Sequence, residues 1–293
     1  MKAMKKIAFI THPQETHWVG DGFRVHNFIP YVPGLSMKEM DPFILLDYNA
    51  KMEVSPRDIP GGVGVHPHRG FETVTIAYEG EVEHHDSAGH GGVIGKGDVQ
   101  WMTAASGVLH KEYHAREWSK KGGIFQMVQL WTNLPKKDKM SAPTYQSLPH
   151  QGMGRYELPQ GNGWVEIIAG NYEGVQGPAH THSPIALMNA HLQQGGKAAF
   201  SFPAHYNTAV LVVQGNALVN GQEVPTDNFV KFENDGEEFT VEATSADTIV
   251  LVMSGEPLGE PIVSYGPFVM NSRQEILQAF EDFNTGKFGY LAD

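Results

Sequence analysis

His66-Pro67-His68 places two imidazoles two residues apart, and His110-Lys111-Glu112 sets an imidazole and a carboxylate at the same spacing. In extended chain, residues i and i+2 face one side, roughly 6.6 Å apart along the strand, so converging side chains can share one ion at ~2.1 Å. Two such pairs on facing strands make a site of three histidines and one carboxylate. That donor set suits Fe(II), Mn(II), Ni(II), Cu(II) or Zn(II), and it leaves two positions of an octahedron open to small molecules. A lone His-x-His is more often two polar residues on a wetted strand face. The second pair, and seven histidines between His66 and His114, shift the balance toward metal.

Something must bring the pairs together, and the surrounding pattern reads as antiparallel β: short alternating runs broken by glycine. Residues 71–78 alternate, Gly80 turns, and 81–85 return, as in a hairpin; 99–103 and 124–131 are further strands. Residues 207–221 repeat the rhythm of 72–85, with Gly215 in the place of Gly80, and 248–253 form another strand. Many short strands at this spacing indicate a sandwich or small barrel, here an internally duplicated one. The polar, Pro/Gly-rich stretch from Lys136 to Gly163 predicts the connection, giving a metal-binding barrel over 1–140 and a second barrel over 141–293. One helix is expected near 272–285. Ser272 and Glu275 form a capping box, and Ile276, Ala279, Phe280 and Phe283 follow as an apolar stripe ended at Gly286.

Composition excludes several classes. The 293 residues carry 33 acidic and 21 basic side chains, a net −12 that argues against direct nucleic-acid binding. No run approaches the ~20 apolar residues of a membrane span, and the short apolar stretch after the basic start does not predict a signal peptide. With no cysteine there is no disulfide, thiolate site or catalytic thiol, which fits a reducing, cytoplasmic setting.

The segments His66-Pro-His-Arg-Gly-Phe-Glu-Thr-Val-Thr, Gly97-Asp-Val-Gln-Trp-Met-Thr-Ala and Gly107-Val-Leu-His-Lys-Glu closely resemble the pirin family of the cupin superfamily. So do Asp41-Pro-Phe-Ile-Leu-Leu-Asp, Gly266-Pro-Phe-Val-Met-Asn and Gly286-Lys-Phe-Gly, so the likeness spans nearly the whole chain. The resemblance implies an all-β fold of two cupin barrels, with iron held by His66, His68, His110 and Glu112. Fe(II) is then the first expectation, with Mn, Co, Ni, Cu or Zn as alternatives.

Many other cupins take their carboxylate from His-x-His-x3-Glu, which would nominate Glu72. Four residues of extended chain cover ~13 Å, so Glu72 would need a bend that Glu112 does not. The second barrel is expected to lack metal, since Ser201 and Pro203 align with His66 and His68, and His180-Thr-His182 has no partner pair. His84, His85, His90 and His114 are read as surface or supporting residues. Trp101 and Met102 are read as core, Phe71 as core or substrate contact, and Arg69 as half of a structural ion pair.

The resemblance implies two function classes. One is a quercetin 2,3-dioxygenase-like enzyme, in which an aromatic flavonol and O2 meet at the metal and Glu112 acts as general base. The other is an iron-dependent redox-sensing regulator that binds a transcription factor or metabolic enzyme. A monomer is expected, because two barrels in one chain already resemble a dimer of single-domain cupins.

Overall fold

A computed structural model describes residues 3–11 and 15–292. The chain forms two compact units, and each unit pairs a seven-stranded antiparallel sheet with a four-stranded one. In the unit that holds the His-x-His motif, the large sheet runs Thr144–Leu148, Val99–Thr103, Phe71–Glu79, Gly123–Asn133, Phe43–Val54, Phe23–Ile29, His17–Val19. Its small sheet runs Gly62–His68, Val108–His114, Val82–Asp86, Gly91–Ile94. Side chains of both sheets, among them Phe23, Val25, Val82, Ile94 and Phe125, share a buried core. The other unit repeats this order strand for strand, its small sheet running Lys197–Ser201, Glu238–Ala243, Ala217–Val219, Gln222–Val224. The all-β, double-cupin architecture with a C-terminal helix is as expected.

Three local expectations are corrected. Residues 71–79 and 82–86 do not form a hairpin: Gly80, at φ +86°, is a corner that sends the chain from the large sheet into the small one. A Cβ there would lie 2.5 Å from the Phe125 ring. Gly215 makes the equivalent corner in the second unit.

The division near residue 140 is the second correction. One unit comprises Glu15–His150 and Leu258–Asp293, the other Met1–Gln14 and Gln151–Pro257. The cause is pairing. Ile7–Thr11 completes the large sheet of the second unit beside Phe229–Phe232, while Thr144–Leu148 fills the same edge position in the first.

The third correction concerns the helix Arg273–Asn284. The capping box forms: the Ser272 side chain caps Glu275 N, and the Glu275 carboxylate meets the Ser272 hydroxyl at 2.9 Å and accepts from Asn271 N, one residue before the cap. The correction lies in the buried face. Ile276 and Ala279 pack against Leu109, Phe268 and Phe288. Phe283 is exposed, and Asp282 is buried in its stead. The helix thus faces Arg69, whose guanidinium lies 2.8 Å from Asp282 and also donates to Ser106 O. Lys287, Gln278 and Arg69 hold the Asp282 carboxyl well below the usual carboxylate range. The ion pair expected of Arg69 is therefore present, and it fastens the loop beyond His68 to the C-terminal helix.

Candidate metal centre

Two neighbouring strands of the small sheet carry the four predicted ligands. Gly62–His68 pairs with Val108–His114 so that His110 lies opposite His66, and a register shift then sets Glu112 against Val63. On its other flank Val108–His114 pairs with Val82–Asp86, placing Asp86 beside His110 and His84 beside Glu112. Same-parity residues from three strands therefore converge.

Donor atoms of His66, His68 and His110 lie within 4.8 Å of one another, and so do those of His84, His110 and Glu112. Two ligands bound at ~2.1 Å stand at most ~4.2 Å apart, so each group is nearly closed. His110 belongs to both. His66, His68 and Glu112 also line one cavity of about 80 Å³, with Val19, Val25, Asp47, Met127 and Trp131 on other sides.

Two of the imidazoles, His68 and His110, are set up to be neutral. Burial, then the neighbouring His66, pushes His68 and His110 well below the ordinary histidine range. His66 Nδ1 lies 2.8 Å from Gly64 O, and His68 Nδ1 3.4 Å from Pro267 O. His110 Nε2 is buried without a hydrogen-bond partner. An orphaned lone pair or N–H at this depth costs about 1–3 kcal/mol, and a cation among neutral imidazoles would relieve it. The residues present fit a divalent transition metal.

Glu112 is fixed from the opposite sheet. Its Oε1 accepts from Gln100 Nε2 at 2.6 Å and its Oε2 from Gln129 Nε2 at 3.1 Å, while the Thr75 hydroxyl donates its one proton to Gln129 Oε1 at 2.5 Å and so orients that amide. These donors belong to one register row across the large sheet, Gln100–Thr75–Gln129–Asp47–Asn27. Sequence reading missed this row. Its signal is a polar side chain in each of five strands, but the register that aligns them is not written in any one strand. Asp47, hydrogen-bonded by Asn27, is pushed up to about 7 by burial.

Glu72 stays outside both donor groups: Thr103 and Thr132 hydroxyls donate to its two oxygens at 2.7 and 2.8 Å. His180 and His182 are exposed between strands, and among the described residues neither metal-capable group lies in the second unit. There the counterpart of the His strand, Lys197–Ser201, turns Phe200 into an aromatic cluster with Phe202 and Phe239. Trp101 and Met102 are core. Phe71 is core as well, stacked on Trp131 at 4.2 Å, with both rings against His68. His85 and His90 are surface residues, His114 is buried among Phe23, Trp118 and Phe125, and His84 is fully buried. The surface option for His84 and His114 is corrected.

The Pirin family model matches residues 22–132, and the Pirin C-terminal cupin domain model matches 187–289. A Pseudomonas aeruginosa protein named "Putative quercetin 2,3-dioxygenase" is 49% identical over 285 residues, covering 97% of this chain and 99% of the relative. Pirin-like protein 2 of Arabidopsis thaliana is 38% identical over 268 residues, 88% of this chain and 79% of its own. The chain belongs to the pirin family. Among solved structures, a quercetin 2,3-dioxygenase from Acinetobacter baumannii superposes with a TM-score of 0.92 at 45% identity, covering 99% of this pirin and all of that chain. The His-x-His strand and the His-x-Glu strand both fall inside the N-terminal match, and no helix among the described residues is long and apolar enough to cross a membrane.

Proposed function

We propose that this pirin is a metal-dependent dioxygenase that cleaves a flavonol such as quercetin with O2. His66, His68 and His110 would hold one divalent transition metal, Fe(II) first among the candidates, through imidazole nitrogens, and Glu112 through a carboxylate oxygen. Such an ion supplies Lewis acidity toward the acidic flavonol hydroxyl and a redox couple for O2. The supporting observation is the near-closed group of three imidazoles beside a carboxylate that faces the same cavity. Relatives that bear dioxygenase names point the same way.

The protein's own groups divide the remaining work. Glu112 Oε2, with one hydrogen bond from Gln129, has lone-pair capacity to take the proton of the substrate hydroxyl. Gln100 holds Oε1, and Thr75 orients the Gln129 amide that meets Oε2, so the carboxylate plane is fixed. Val19, Val25, Val63 and Met127 line an apolar mouth that accepts an aromatic edge and excludes water, and the Asp47 carboxyl offers a polar contact within it. A cavity of about 80 Å³ takes in the chelating edge of a flavonol, leaving its other rings at the mouth.

That small volume is also the observation favouring the second reading, an iron-dependent redox sensor that binds a protein partner, because drug-sized ligands usually occupy ~300–1,000 Å³. One experiment separates the two. Load the apo protein with Fe, Mn, Co, Ni or Cu in turn, add quercetin in air, and follow the flavonol absorbance together with CO release. The enzyme reading predicts metal-dependent loss of the absorbance with stoichiometric CO. No turnover with any metal, together with a partner captured only in one redox state, would replace it with the regulatory one.

A further inference from the structure

Each imidazole of the proposed centre needs one nitrogen bare and the other occupied. For His66 and His68 the backbone settles this, since the Nδ1 atoms face the carbonyls of Gly64 and Pro267. A carbonyl only accepts, so both rings carry their proton on Nδ1 and leave Nε2 as a lone pair. His110 differs. Its Nδ1 faces the Nδ1 of His84 at 3.4 Å. Two imidazole nitrogens that meet need one N–H and one lone pair, and the pair alone does not say which ring supplies which.

The far side of His84 decides it. His84 Nε2 lies 3.6 Å from Asp86 Oδ2, and both side chains are buried. His84 Nε2 makes no hydrogen bond at that distance, yet a carboxylate has only lone pairs to present, and a bare Nε2 facing it would be repelled. The His84 proton therefore sits on Nε2, its Nδ1 accepts, and His110 donates from Nδ1. Asp86 is itself pinned: Oδ1 accepts from Ala88 N and His90 N at 2.9 Å each, and Oδ2 meets His90 Nδ1 at 3.1 Å. Tyr145 stacks on both His84 and His90 and keeps the rings in plane.

We infer that Asp86 and His84 are positioning residues of the metal centre, with Asp86 fixing the tautomer of His84 and His84 holding the His110 ring so that His110 Nε2 is the bare donor. The inference rests on the metal site proposed above. His84 also falls within the donor group of His110 and Glu112, so it competes with a role as a ligand. The shared Nδ1 anchoring of His66, His68 and His110 favours the positioning role.

Two variants test it in the full chain. His84→Phe keeps the stack on Tyr145 but removes the acceptor. Asp86→Asn should present its amide N–H to His84, because the backbone donors of Ala88 and His90 pin the side-chain oxygen, and so should reverse both tautomers. Both variants are expected to stay folded by circular dichroism and to bind Co(II) about 10- to 100-fold more weakly than wild type. Co(II)-loaded His84→Phe should still show three imidazole ligands by pulsed electron paramagnetic resonance, with the His110 N–H now exchanging quickly with water. Unchanged affinity in both variants, or a drop to two imidazoles in His84→Phe, would overturn the inference. Nitrogen-15 spectra of the metal-free protein read the tautomers directly and predict His110 with its proton on Nδ1. A proton on Nε2 would overturn the relay, whereas wild-type protein that takes up no Co(II) while showing the predicted tautomer would sink only the metal reading.

Discussion

Glu72 and Glu112 are both buried, yet their partners differ in a way that fits a structural carboxylate for the first and the proposed ligand for the second. Glu72 has a threonine hydroxyl on each oxygen, while Glu112 is gripped mainly through Oε1 and faces the cavity beside His66 and His68. Glu112→Ala is therefore expected to lose most of its bound metal, measured by elemental analysis after dialysis. Glu72→Ala should keep its metal but melt earlier, at a cost of about 1–3 kcal/mol for each hydroxyl left unpaired. Equal metal retention in the two proteins would contradict the assignment. The His-x-His and His-x-Glu spacings were legible because i, i+2 parity is a property of one strand. His84, Asp86 and the Gln100–Thr75–Gln129–Asp47 row were not, because their neighbours lie across strands and depend on register, including the shift between His110 and Glu112.

Among the elements, the alternating runs on either side of Gly80 and Gly215 were visible as strands, but a glycine between two strands reads the same in a hairpin and at a corner between sheets. Packing resolves it. Gly80→Ala would put a methyl 2.5 Å from Phe125 at φ +86°, whereas Gly89, at φ +89°, has open space around it. Gly80→Ala should cost about 1–3 kcal/mol or more in chemical denaturation and Gly89→Ala distinctly less; equal effects would count against the corner. The C-terminal helix teaches a similar lesson. Its apolar periodicity announced Phe283 as buried, but the Arg69 charge behind His68 selects Asp282 for that face. Asp282→Ala leaves a buried guanidinium without its carboxylate and is expected to destabilise by roughly 3–5 kcal/mol.

At the scale of the whole molecule, duplication was legible from the repeated rhythm of 72–85 and 207–221, while the exchange of edge strands was not. Ile7–Thr11 carries no mark of which sheet it joins. Stability should also depend on pH through His114, which burial, then the charge of Arg57, lowers to about 4. The unfolded chain takes up a proton near pH 6.5 that the folded chain refuses until about 4, so stability present above 6.5 is lost as pH falls through that window. The shift corresponds to at most ~3 kcal/mol, and His114→Phe should flatten part of the pH dependence of the apo protein's unfolding midpoint. An unaltered slope would show that His114 carries none of it. The most direct test of the account is the metal itself: quantify the ion in purified wild-type protein reloaded with Fe(II), and count its ligands by X-ray absorption. One ion per chain is expected, with imidazole scattering from three histidines and light-atom scattering from a carboxylate. A chain that takes up no metal, or an ion that survives unchanged in His66→Ala, His68→Ala and His110→Ala, would contradict it.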